Sequence, residues 1–265
     1  MQLEKFFSMK QIIFSILAIS LLTTIGCKDD ATIITMTTIK GEVAISVAGS
    51  ILGTFFIDWG DDSPIEKHKI RSSNYWAWSE EYKYTHSYNN ASSHTIKIIG
   101  SEVTHLACEI NQIIDLDVSK NTRLRELRCD INQLTNLDVS RNIALETLTC
   151  HNNQLTSLDV SKNTALKRLD CPRNQLTDLD MSKNVSLTDL SCWNNQLTSL
   201  SVNSIAPLTW LDCNNNQLTR SALNALFEML PDNIKKKFIY IDDNPGTESC
   251  DQSIVTKKGW IFTNE

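Results

Sequence analysis

Six cysteines, Cys108, Cys129, Cys150, Cys171, Cys192 and Cys213, follow one another at intervals of 21 residues. Thiols at a fixed interval could ligate a metal, form disulfides or supply a nucleophile, and Cys150 stands beside His151 as a base would. On a repeating parallel sheet the six would stack about 4.8 Å apart, all pointing the same way. That places their Cβ atoms slightly beyond the roughly 3.5–4.5 Å of a disulfide. Zinc would call for short spacings such as CxxC. The expectation is therefore buried free thiols acting as small hydrophobes. Adjacent strand residues face opposite sides, so Cys150 and His151 point apart and do not form a catalytic pair. Asp117, Asp138, Asp159 and Asp180 share the period and would repel by about 1 kcal/mol per neighbour even in water. Lys120, Arg141, Lys162 and Lys183 stand three residues on. In the next repeat both are lost together, as Ser201 and Ser204, which points to compensating columns; a calcium ladder is the alternative.

The elements that would position these columns are legible in the stretch Leu145–Ala165, LETLTCHNNQLTSLDVSKNTA. Its pattern, LxxLxCxxNxL followed by xxLDVSxNxx, recurs over about half the chain, and strict phase of this kind means a solenoid. It resembles the leucine-rich-repeat family, with Cys in place of the third Leu. The unit also repeats inside itself: Leu155–Asn163 and Leu166–Asn174 both fit LxxLx[V/C]xxN. Each coil is thus two half-turns with a short strand on each side, Leu127, Leu148, Leu169 and Leu190 facing Leu137, Leu158, Leu179 and Leu200 across the interior. Met181 takes a Val position. The column Asn111, Asn132, Asn153, Asn174, Asn195 and Asn216 is read as scaffold, each amide bonding backbone of its own and the neighbouring turn.

Residues 1–27, ending TTIGC, form a processing segment in which Lys10 precedes the apolar run Ile12–Leu22, too short for the roughly 20 residues of a membrane span. With Ile25 and Gly26 before Cys27 it resembles a bacterial lipoprotein signal, although Thr24 stands where Leu is usual. The resemblance implies lipid attachment at Cys27. Lys28, Asp29 and Asp30 resemble the acidic export tag of Bacteroidota lipoproteins, which implies the outer face of the outer membrane. Translation starts at Met1 or Met9.

Residues 28–100 lack the 21-residue phase, and their Thr- and Ile-rich alternation predicts a small antiparallel β-sandwich. Strands are expected at Thr32–Thr38, Val43–Val47, Thr54–Asp58, Tyr82–Tyr88 and His94–Ile99. The turn Trp59–Gly60–Asp61–Asp62 with His86 and Tyr88 resembles the polycystic-kidney-disease (PKD) domain, Asp62 replacing the second Gly. Asp58, Asp61 and Asp62 could hold a cation or simply build the turn. Tyr75, Trp76 and Trp78 are an aromatic cluster or a cap on the sandwich core.

The solenoid spans 101–220. Val103 and Leu106 already fit the template, so no linker separates it from the sandwich. In 221–265 a cap is expected: a helix over Ser221–Leu230 stopped by Pro231, a seventh repeat strand at Phe238–Ile241, a short helix within Thr247–Gly259 and a closing strand at Trp260–Phe262. The fold class is mainly β.

No nucleophile elbow, HExxH, P-loop or dinucleotide fingerprint gathers His68, His86, His94, His105 or His151, so catalysis and a cofactor are not expected. A formal charge of −6 with thinly spread Lys and Arg argues against nucleic acid. The outward columns of the Cys-side strands vary where the scaffold does not. One reads His105, Glu126, Thr147, Arg168, Asp189, Trp210, Phe238; the next Ala107, Arg128, Thr149, Asp170, Ser191, Asp212, Tyr240; the third Glu109, Asp130, His151, Pro172, Trp193, Asn214, Asp242. The expected role is a surface protein binding a protein or carbohydrate partner here. Candidate contacts are Arg128, His151, Arg168, Asp170, Asp189 and Asp212, with Trp193, Trp210, Phe238 and Tyr240 as one aromatic patch. That patch is exposed or covered by the cap. A structural spacer or assembly component of the outer membrane, without a ligand of its own, is the alternative role.

Overall fold

A computed structural model describes residues 32–49, 53–72, 82–90, 92–232 and 236–263. Cys27 with its signal segment, and Tyr75, Trp76 and Trp78, lie outside these residues. In–out alternation in β1 (Ile33–Thr38), β2 (Glu42–Gly49), β3 (Gly53–Asp58) and β6 (His94–Ile99) buries one face of each strand, and β2 is buried on both faces over its last three residues. With β4 (Glu66–Ile70) and β5 (Lys83–Ser87) they make two facing sheets. β4 was not expected: its sequence, EKHKI, carries no apolar alternation and a single aliphatic, the buried Ile70.

The sandwich and the solenoid share both sheets. β7 (Val103–Ala107), the first half-turn of coil one, pairs antiparallel with β2. β8 (Ile113–Asp117), its second half-turn, pairs antiparallel with β1. From β7 the second sheet continues in parallel through β9 (Glu126–Arg128), β10 (Thr147–Thr149), β11 (Arg168–Asp170), β13 (Asp189–Ser191), β15 (Trp210–Asp212), β16 (Lys237–Tyr240) and β17 (Trp260–Phe262). It has ten strands with β5 at one edge and β17 at the other. On the opposite side the second half-turn forms strands at β8, β12 (Asp178–Met181) and β14 (Ser199–Val202), the last two paired; in the coils between, LDV runs without a strand ladder. The fold is a leucine-rich-repeat-like solenoid, mainly β, with one hydrophobic core running from Ile34 and Phe55 through the Leu columns to Trp260.

The Asn column behaves as scaffold. Asn153 Nδ2 donates to Cys129 O and Cys150 O, both at 3.0 Å, and its Oδ1 accepts from Leu134 N at 3.0 Å. In coil one no preceding coil exists, and the sandwich stands in: Asn111 Nδ2 donates to Ala44 O at 2.7 Å and Oδ1 accepts from Ala44 N at 2.9 Å. A second column ties coils together at the other turn through its amide nitrogens alone, Asn142 Nδ2 donating to Val118 O and Asn121 O.

The far end closes with α1 (Arg220–Met229), which buries Leu223, Leu226 and Phe227 and begins at Thr219, whose side chain accepts from Ala222 N. Its last carbonyls are held by Lys258, whose Nζ donates to Phe227 O, Glu228 O and Leu230 O. α2 (Ser253–Lys257) follows, and β17 tucks Trp260 beneath it at 2 % exposure.

Candidate functional site

The register of the parallel sheet fixes the three outward columns. Thr147 pairs with Glu126 and Arg168, Asp189 with Trp210, and Trp210 with Phe238. Two residues along, Thr149 pairs with Arg128 and Asp170, and Asp212 with Tyr240. The face therefore carries the candidate residues in the expected order, and the structure divides them into two regions.

The first is a groove of about 1030 Å³ between the sandwich and the first coils. Lys40, Ala44, Ser46 and Lys83 line it from the sandwich, and Arg128, Asp130, His151, Arg168 and Asp170 from the coils. Its charges are paired across the floor: Arg128 Nε donates to Glu126 Oε1 at 2.6 Å, and Arg168 Nη2 lies 3.8 Å from Asp170 Oδ2. Outward does not mean exposed here. Thr149 and Asp130 are both buried, with Thr149 Oγ1 donating to Asp130 Oδ2 at 2.8 Å and His151 N to Asp130 Oδ1 at 3.1 Å. Burial pushes the Asp130 carboxyl up against the opposing pull of Thr149 and His151, and burial likewise raises Glu109 beside it. Lys40 and Lys83 were missed in the sequence because the sandwich was read separately; only the shared sheet brings them to this groove.

The second region is aromatic. Trp210 packs on Tyr240 with ring centroids 4.8 Å apart and on Phe238 at 6.1 Å. The cap does not cover them: Trp210 is 38 % exposed, and Phe238 and Tyr240 are half-buried. Trp193, the fourth ring expected there, carries the Arg173 guanidinium 4.7 Å from its ring centre. Asp189 and Asp212 flank the rings, Asp189 accepting from Thr188 Oγ1 and Asp212 from Asn214 N.

The cysteine column lies directly beneath this face. All six thiols are free and fully buried. Cys108 Sγ donates to Arg128 O at 3.4 Å and Cys129 Sγ to Thr149 O at 3.5 Å, each reaching the next coil. Burial raises these thiols well above their ordinary range.

The chain is similar to a solved structure described as the functional domain of InlJ from Listeria monocytogenes, which includes a cysteine ladder. Identity is 36 %, the match covers 59 % of this chain and 38 % of that chain, and the TM-score is 0.44. This chain thus spans well under half of that structure's length. No protein-family model matches the chain, and a search of the curated proteins finds no match.

Cys150 is buried while His151 is not, with its Nε2 lying 3.6 Å from Asp130 Oδ1; thiol and imidazole sit on opposite sides of the strand. The Asp column is held differently from the expectation. Asp117, Asp138 and Asp159 each accept from the backbone N of the Ser two residues on, at 2.8–2.9 Å. Hydrogen bonds to those serines lower their pKa values first, and Lys120, Arg141 and Lys162 add a smaller pull. In the sandwich turn the carboxylates also have protein partners. Asp58 accepts from Gly60 N and Lys97 Nζ, Asp61 from Ser63 N and His86 Nε2. Burial works against Asp61's charge, but Ser63 and His86 outweigh it and hold its pKa at about 2. Gly60, at φ +78°, is required there, since a Cβ would sit 2.4 Å from Thr95 O. Trp59 stacks on His86 at 4.9 Å, and Tyr88 Oη donates to Trp59 O at 2.8 Å. Among the described residues no three His, Cys, Asp or Glu gather into a metal site.

Proposed function

We propose that this is a non-enzymatic surface lipoprotein, anchored by a lipid on Cys27 in the outer membrane and facing the cell exterior, that binds a protein or glycan through the outward face of its parallel sheet. One observation carries the binding reading: beneath the face six coils repeat the same Leu, Cys and Asn, with Ile239, Ile241 and Asn244 at those places in the seventh, while above it the residues change from coil to coil and end in three partly exposed rings. A scaffold needs the former and has no use for the latter. The turn from Trp59 to Asp62, braced by His86 and Tyr88, supports a PKD-like reading of the sandwich. The spacer reading draws on the paired floor charges, Glu126–Arg128 and Arg168–Asp170, which satisfy one another without a ligand. Arrayed proteins and glycans probed with the full chain separate the two: saturable binding supports the binder, and none supports the spacer. Mass spectrometry of the mature N-terminus tests the anchor, with diacylglyceryl-modified Cys27 expected and an unmodified Cys27 against it.

A further inference from the structure

The turn after the third column has a left-handed residue in coil after coil. Asn152, Arg173, Asn194, Asn215 and Asp243 occupy it at φ 50–56°. In the first two coils the same place is held by Ile110 and Ile131, at φ 60° and 53°. Asn and Asp tolerate this conformation, whereas a β-branched side chain crowds the backbone in it. These two are also 57 % and 46 % exposed. The ladder does not require them, because the bonds made there, Ile110 N to Asp130 O at 3.1 Å and Ile131 N to His151 O at 2.9 Å, are main-chain and open to any residue with an N–H. Strained and solvent-facing aliphatics, where the other coils use the polar residues Asn, Asp or Arg, point to a contact made outside the fold.

Both isoleucines line the groove described above. Glu109 and Asp130 lie beside them, and burial disfavours the charge on both. A cation entering the groove would relieve that cost. The lining as a whole balances four Lys and Arg against four Asp and Glu, so it does not concentrate a polyanion such as a nucleic acid or a phosphate polymer. A neutral sugar would leave the two carboxyls further desolvated. An aliphatic side chain next to a basic one meets both features at once. Building on the reading of this face as a binding surface, we propose that the groove takes an extended polypeptide segment whose aliphatic side chain seats on Ile110 and Ile131 and whose neighbouring Lys or Arg pairs with the half-buried Glu109.

The test pans a display library of short random peptides on the full chain. Recovered peptides are then titrated against the wild type, Ile110→Asn/Ile131→Asn, Trp210→Ala/Tyr240→Ala and Ile205→Asn. The expected peptides pair an aliphatic with a basic residue. The Ile110→Asn/Ile131→Asn variant should bind them at least about tenfold more weakly, with a melting temperature unchanged or about 2–4 °C higher as strain is released, and a control variant at an exposed aliphatic outside the groove, Ile205→Asn, should bind them as the wild type does. Recovering no peptides, peptides without the pair, unchanged affinity in the Ile110→Asn/Ile131→Asn variant, or binding to arrayed glycans alone would overturn the proposal. Loss of peptide binding in the aromatic variant only would move the site along the face. Indifference to both of the double variants would remove the whole face as a binding surface.

Discussion

Asn153 and Cys150 illustrate how single positions in this repeat are tied to two coils at once. Removing the Asn153 amide strands Cys129 O, Cys150 O and Leu134 N in the interior. Asn153→Ala should cost about 1–3 kcal/mol, seen as a melting temperature lower by at least about 2–4 °C; Gln154→Ala, at an exposed position, should leave it in place. The thiol column carries a pH signature. Below about pH 8.5, the ordinary thiol value, folded and unfolded chains are both protonated and the ladder adds no pH dependence. Above it the unfolded chain releases protons that the buried thiols, with pKa raised by burial, retain. Stability should therefore fall as pH rises past that value. Thermal melts from pH 8 to 10.5 check this, with Cys150→Ala reducing the slope. In the native state a water-soluble disulfide reagent should leave the ladder thiols untouched. At this scale the sequence was most legible, since a 21-residue phase assigns side-chain direction directly. It failed where exposure depends on neighbours: nothing in the column pattern says that Thr149 and Asp130 bury each other.

At the scale of elements, α1 shows a helix set by its ends. Thr219 caps its first turn, Leu230 ends it ahead of Pro231, and Lys258 gathers its last carbonyls. Thr219→Ala should destabilise the chain by about 1 kcal/mol, measurable by denaturant melts as a lower midpoint at unchanged slope. The helix, β16 and β17 were readable from spacing because each buries an apolar face. β4 was not, because Glu66–Ile70 borrows its order from β3 through backbone pairing rather than from side-chain burial. β8 was placed as a repeat strand, and its partnership with β1 could not be read from the template it shares with the other coils. The αL turns were likewise invisible: no spacing rule distinguishes Ile131 from its exposed neighbours, yet its backbone sets it apart.

The whole molecule is built around two sheets shared by sandwich and solenoid, one running on through the coils to β17 and the other ending at β8 in coil one. Coil one is clamped on both half-turns, β7 to β2 and β8 to β1, and Ala44 completes the Asn ladder that a preceding coil would otherwise supply. The sandwich is thus the solenoid's N-terminal cap as much as a domain of its own, the role terminal units play in repeat arrays. A chain truncated to residues 101–265 would bare the edges of β7 and β8 and should be insoluble or lose its cooperative transition, whereas the full chain should melt as one unit by calorimetry; a soluble, cooperatively folded truncation would speak against the shared cap. For the same reason binding has to be measured on the full chain. The central claim is that the outward face of the ten-stranded sheet recognises a partner while the coils beneath only support it. The most direct measurement is an array of proteins and glycans probed side by side with the wild type, Trp210→Ala/Tyr240→Ala and Ile110→Asn/Ile131→Asn. The account predicts saturable wild-type binding that at least one variant abolishes, with melting temperatures within about 4 °C of the wild type. Saturable binding that both variants retain in full, or no binding by the wild type, would contradict it.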